Sequence, residues 1–152
     1  MPLHGEYEPS PIARIRTQVE LYEATNGLEG GTMNGKPVIV LTTKGHKSGR
    51  IRKIPLMRIE HNGMYAVFAS NAGASKHPFW YHNLVAHPLV ELQDGALKQD
   101  MRAREVFGEE KNEWSRRAEA ALPQFPDYGA SAGRGRPVFS IEPVQTSHLR
   151  VS

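Results

Sequence analysis

The densest run of chemistry-bearing residues is Thr43-Lys44-Gly45-His46-Lys47-Ser48-Gly49-Arg50-Ile51-Arg52-Lys53. Glycines at 45 and 49 let backbone N–H groups approach a ligand closely. Lys47 and Ser48 bring further donors, and Arg52 can grip an oxyanion through two parallel bonds. The combination suits a phosphate or a polycarboxylate. It is not the nucleotide-binding loop Gly-x-x-x-x-Gly-Lys-[Ser/Thr], because His46 stands where its second glycine must be. A solvated hairpin edge, guarded by lysines against aggregation, explains the same residues equally well.

A second run, residues 69–83, joins Ala69, Ser70 and Asn71 to the aromatic cluster Phe79, Trp80 and Tyr81, then His82 and Asn83. Small residues at a strand end leave backbone donors open, and a flat aromatic wall beside them suits a planar heterocycle. The competing reading is that Phe79 and Trp80 simply pack a helix onto a sheet. Other chemistries find less support. His77, His82 and His87 are five apart, which spreads them around a helix instead of stacking them as metal ligands, so no metal is expected. There is no Gly-x-Ser-x-Gly nucleophile elbow. Glu109-Glu110 reads as a helix start favoured by the dipole, not as a catalytic carboxylate pair. No RNP-like motif or zinc knuckle accompanies the basic loop, so nucleic acid ranks below a small anionic cofactor.

These segments need elements to position them. Ser10-Pro11 starts a helix whose apolar positions Ile12, Ile15, Val19 and Tyr22 recur at helical spacing until Asn26-Gly27. The glycine-rich stretch 27–35 reads as loop. Residues 38–43 form a buried strand, the chain returns over 51–60, and Asn62-Gly63 marks a hairpin into 64–70. A short helix spans 77–86. Asp94-Gly95, placed at the centre of a type I′ turn, joins strands 89–93 and 96–107. A helix over 109–122 carries Trp114, Ala118, Ala121 and Leu122 on its apolar side. A loop over 123–137, a strand over 138–141 and a polar tail complete the chain. About six strands in hairpins, without repeated strand–helix alternation, predict an α+β domain with a small antiparallel barrel.

The 152 residues form one expected domain: an N-terminal helix (1–27), a barrel core (28–143) and a tail (144–152). No cysteine is present, which excludes disulfides, thiolate zinc sites, iron–sulfur clusters and a Cys nucleophile. With 19 Lys and Arg against 16 Asp and Glu, the net charge of +3 points to a local anionic partner, not to a polybasic coat. The N-terminus has neither a basic n-region nor an apolar h-region, and the longest apolar run is 64–69. A cytoplasmic protein without a stable membrane anchor is expected.

Taken together, three segments resemble the deazaflavin-dependent nitroreductase family, which uses coenzyme F420. They are 37–49 with 52–57, then 69–83 with its Gly-Ala-x-Lys-x-Pro-x-Trp-Tyr-x-Asn pattern, then 87–92. The likeness runs from about Gly30 to Pro143. It implies an FMN-binding-like split β-barrel, in agreement with the hairpin reading. It also gives the basic loop a partner of the right sign, since the cofactor carries a phosphate and an oligoglutamate tail. By position, His46, Lys47, Ser48, Arg52 and Lys53 would line the phosphate and tail. Ile54, Pro55, Leu56 and Met57 would run along the cofactor. Phe68, Ala69, Ser70 and Asn71 would face the ring, and Phe79, Trp80, Tyr81, His82 and Asn83 would complete the pocket.

The reaction this implies is hydride transfer from reduced deazaflavin to a small-molecule acceptor, a quinone or nitro compound, with Ser70 or Tyr128 as proton source. Met57 stands where members that activate nitroimidazoles have Tyr, and Leu122 and Phe125 thin out the hydroxyls of the C-terminal loop. Such a pocket holds a nitro group less well and leaves quinones open. Two alternatives stand beside this reading. One keeps the barrel with FMN or haem; the other is a deazaflavin carrier or binding module without turnover. Exposed apolar strand faces leave a homodimer open.

Overall fold

The computed structural model describes residues 3, 5–33, 35–69, 79–122 and 137–144. Helix α1 (Ala13–Thr25) leads into β1 (Thr32–Met33), β2 (Lys36–Lys44), β3 (Ile51–Met57), β4 (Glu60–His61) and β5 (Met64–Phe68). Helix α2 (Phe79–Ala86), β6 (Leu89–Asp94), β7 (Leu97–Val106), α3 (Gly108–Ala121) and β8 (Val138–Pro143) follow. The eight strands form one sheet in the order β1-β2-β6-β7-β8-β5-β4, with β3 on the other edge of β2. Every ladder between these strands is antiparallel. The sheet curls into a half-barrel, the hairpin-built α+β architecture that the sequence predicts.

Alternation along the strands builds two cores. Ile39, Leu41, Val67, Val90, Leu92, Met101, Phe139 and Ile141 point to the face closed by Trp80 and Leu84 of α2. Val38, Val40, Met57, Ala66, Phe68, Val106 and Val138 point to the other face, covered by Val19 and Tyr22 of α1 and by Trp114 and Ala118 of α3. This is the period of two expected for pleated strands with both faces covered. Pro55 sits in β3, where it pairs with Val40. Arg58 N–H reaches Pro37 across β2 while Ile51 N–H reaches Glu6 on the far side, so odd-numbered positions of β3 face away from β2. The missing N–H of Pro55 therefore falls on the open edge, where a sheet tolerates proline.

Several boundaries differ from expectation for local reasons. Helix α1 begins at Ala13, because the Ser10 hydroxyl accepts the Ile12 N–H at 3.1 Å and holds the chain one step before the first turn. Ile12 is consequently 50% exposed and leaves the apolar face. In α3 the buried set is Trp114, Ser115 and Ala118, while Ala121 faces solvent. Within the 27–35 loop, Thr32 and Met33 pair with Pro37 and Lys36 as a two-residue strand. At the β4–β5 turn Asn62 and Gly63 both take positive φ (52° and 81°), the type I′ pattern. The β6–β7 turn is shifted by one: Asp94 pairs with Leu97, so Gly95 (φ 64°) and Ala96 are central. Positive φ at the first position alone is the type II′ pattern, with Gly leading.

The end of the barrel at this turn is tied shut. Asp94 accepts the Tyr65 hydroxyl at 2.5 Å and Arg58 Nε at 2.9 and 3.1 Å. The Tyr22 hydroxyl accepts the Gly95 N–H at 2.7 Å and lies 3.1 Å from the Val38 carbonyl. Burial, and then the bond to Asp94, push the Tyr65 phenol well above the usual tyrosine range.

Candidate functional site

At the opposite end of β2, residues 45–50 turn the chain into β3. Gly45 N–H bonds to the Arg50 carbonyl at 2.7 Å, and Gly49 N–H bonds to the Gly45 carbonyl at 3.0 Å. Gly49 takes φ 74°, and a Cβ on Gly45 would meet Ser48 Oγ at 2.9 Å and the Arg50 carbonyl at 3.2 Å. Both glycines of the motif are thus required by the turn itself. The Ser48 hydroxyl accepts the Arg50 N–H at 3.1 Å, so part of its capacity shapes the loop. His46, Lys47 and Ser48 are exposed.

The loop is pinned to α2 by one buried side chain. Asn83, 2% exposed, accepts the His46 backbone N–H through Oδ1 at 2.9 Å and gives Nδ2 to Thr43 Oγ1 at 3.1 Å. The backbone donor identifies that amide atom as oxygen. His46 Nδ1, also 2.9 Å from it, therefore carries the proton, which leaves Nε2 for another partner. The His46 ring lies 5.3 Å from the His82 ring, and Tyr81 packs edge-on against His82 at 5.1 Å and Phe139 at 5.7 Å.

Register then sorts the proposed cofactor strand. Thr43 pairs with Arg52, Leu41 with Ile54 and Ile39 with Leu56, so Arg52, Ile54 and Leu56 share a face with Thr43. Lys53, Pro55 and Met57 pair with Thr42, Val40 and Val38 and point to the opposite face. The six side chains do not form a single wall. Ile54 and Leu56 are half-buried against the α2-side core, whereas Met57 is buried in the cluster shared with α1 and α3. Lys53 bonds to Glu23 of α1 at 2.5 Å, with its Nζ 5.2 Å from the Tyr7 ring centre. Arg52, half-buried, has the Glu8 carboxylate 3.9 Å away.

The remaining predicted residues divide similarly. Trp80 is 2% exposed and packs in the core with Leu84, so the structure places it as a buried support. Phe68 is buried on the α1 and α3 side, and Ala69 faces the other core while its N–H bonds to the Pro137 carbonyl at 2.8 Å. Phe79 opens α2. Ser70, Asn71 and Tyr128 lie outside the described residues.

What comes together is a cationic loop bearing His46 and Lys47, with Arg52, Ile54 and Leu56 following on one face of the adjoining strand. This arrangement suits a ligand with an anionic end and an apolar body. Among the described residues, no three His, Cys, Asp or Glu side chains converge as a metal site would require. No helix among them is long and apolar enough to cross a membrane.

Thr43, Glu8 and Glu23 were not singled out from the sequence. Thr43 borders the basic run, but its link to Asn83 spans 40 positions and needs the fold. Glu8 reaches β3 because the N-terminal segment runs beside its edge, with Tyr7 bridged to Ile51, whereas Glu23 reaches it from α1, which packs against that strand through Lys53. Burial and the Glu23 and Glu20 charges raise the Tyr7 phenol above the ordinary tyrosine value, so it stays neutral there.

Comparison with known proteins gives a consistent picture. Residues 14–143 match the family described as F420H(2)-dependent quinone reductase. An F420H(2)-dependent quinone reductase of Mycobacterium tuberculosis is 32% identical over 96 residues, covering 62% of this chain and 64% of that protein, just under two thirds of its length. A solved F420-H2 dependent reductase is 46% identical, with a TM-score of 0.63, covering 70% of this chain and 94% of the other. Another solved chain, described as a domain-swapped dimer, is 42% identical with a TM-score of 0.65, covering 88% and 100%.

Proposed function

Because the chain belongs to the F420H(2)-dependent quinone reductase family, we propose that it binds coenzyme F420 and uses the reduced form to reduce a quinone. The observation that carries the reading is the Asn83 knot. It presents a cationic loop beside Arg52, Ile54 and Leu56 on one face of β3. When bound, the reduced deazaflavin supplies a hydride from its C5.

The chain's own residues bind, orient and shield. Arg52 and Lys47 hold anionic oxygens of the phosphate and tail, and His46, its Nδ1–H spent on Asn83, presents Nε2 as an acceptor for a hydroxyl of the ligand. Ile54 and Leu56 give the apolar body a wall and keep water from it, while Trp80 and Leu84 fix α2 behind the loop. Lys53 and Met57 act from the other face, by fastening α1 and filling the core. Ser70 and Tyr128 are our proposed proton sources for the reduced acceptor. Replacing them by Ala and Phe lowers turnover if they serve, and an unchanged rate removes them from the account.

The expectation that Met57 disfavours nitro compounds falls away, because Met57 is buried in the core on the face opposite Arg52. We also infer a cytoplasmic enzyme that associates as a homodimer, the latter supported by the 42% identical dimeric relative. Light scattering of the purified protein decides the second point. The decisive experiment on function follows oxidation of reduced F420 by menadione. Catalytic turnover is expected; binding without turnover indicates a carrier instead.

A further inference from the structure

A basic cavity of about 230 Å3 lies on the other face of the sheet from Arg52. Lys44, His87 and Arg102 line it, together with the apolar Leu3, Pro88 and Leu89. Arg102 is directly opposite Leu89 in the β6–β7 ladder. The pairing of Thr42 with Glu91 sets Lys44 on the other flank of Leu89. Two cations thus stand across three neighbouring strands, about 10 Å apart at their backbones. Neither has an ion pair or a side-chain hydrogen bond among the described residues. The nearest carboxylates of these strands, Glu91 and Asp100, pair with each other's positions one row further along the same face and do not line the cavity. Two cations without a protein partner among the described residues, at the rim of one cavity, offer an anion charge-assisted bonds from both sides.

We propose that this cavity binds a small organic anion. A single carboxylate or phosphate head sits between Lys44, His87 and Arg102, and a short apolar body lies against Leu3, Pro88 and Leu89. The volume is below the roughly 300–1,000 Å3 of drug-sized pockets, so the ligand is of fragment size. The site is separate from the proposed F420 cleft, since Lys44 and Thr43 point to opposite faces of β2.

Phenyl phosphate, benzoate and inorganic phosphate, titrated into the full chain and followed by amide NMR shifts at residues 86, 87, 89 and 102, test it. Saturable binding of phenyl phosphate or benzoate, several-fold tighter than inorganic phosphate, is expected. Arg102→Gln and Lys44→Gln should each weaken it about tenfold, the loss of one charge-assisted bond. Both side chains are at least partly exposed, so both variants should melt like the parent. No saturable binding by either organic anion overturns the proposal. So does equal binding of inorganic phosphate, or a loss that follows Arg52→Ala instead of Arg102→Gln.

Discussion

Replacing Asn83 by Ala tests whether the cationic loop is held from α2. The change deletes an acceptor for the His46 backbone N–H and Nδ1–H, and a donor to Thr43 Oγ1. Thr43 is 1% exposed, so its hydroxyl has no route to water. His46 is exposed and can turn to solvent, so two of the three bonds are replaced in part. A net bond contributes about 1 kcal/mol and a stranded buried polar group costs about 1–3, which gives roughly 2–4 kcal/mol in all. For a chain of this size, that is a fall in Tm of roughly 5–12 °C. Asn83→Asp is the informative contrast. Its carboxylate still accepts both His46 donors, and the Thr43 hydroxyl can rotate to donate to it, so most stability returns. The new negative charge beside the loop should nevertheless weaken F420 binding. Thermal melts paired with F420 titrations read both effects. An Asn83→Ala variant with parental Tm and parental affinity would refute the reasoning.

Other outcomes follow from the same geometry. Arg52→Ala should weaken F420 about tenfold and flatten its salt dependence, whereas Lys53→Ala, on the opposite face, should lower Tm and leave affinity within about twofold. Glu8→Gln should tighten F420 binding, because the carboxylate 3.9 Å from Arg52 competes with the ligand's oxygens. The Tyr65 phenol is raised by burial and by Asp94, so the folded state holds that proton more tightly than the unfolded chain. Its stabilising contribution is full below about pH 10 and fades above it, so the Tm advantage over Tyr65→Phe should shrink in alkaline melts. Glu110 is lowered by its bonds to Arg104, so its contribution is present above the ordinary glutamate value and lost in acid. The Tm gap between the parent and Glu110→Gln should therefore narrow below about pH 4.

Much of this was legible in the chain. The β-branched run at 38–43, the Asn62-Gly63 turn and the helical spacing of Val19 and Tyr22 each specify their element locally, and the structure has them. The family was readable from the 69–83 pattern. Which face each residue of β3 takes was not, because periodicity says that neighbours alternate but not which of them meets which core. Lys53 and Arg52 look equivalent in sequence, yet register sends one to Glu23 and the other to the Thr43 face. Trp80 reads as a wall or as core with equal ease, and the choice depends on how α2 seats on the barrel. Tertiary partners far apart in sequence, such as His46 with Asn83, carry no local signal at all.

The central claim is an F420 cleft built on the Asn83-pinned loop and Arg52. Its most direct test is titration of the apo protein with F420 and, separately, with FMN, read by tryptophan quenching in the parent and in Arg52→Ala. Saturable F420 binding that weakens with salt and with the substitution is predicted. FMN binding without F420 binding would contradict it and move the protein to the flavin-using branch of the fold.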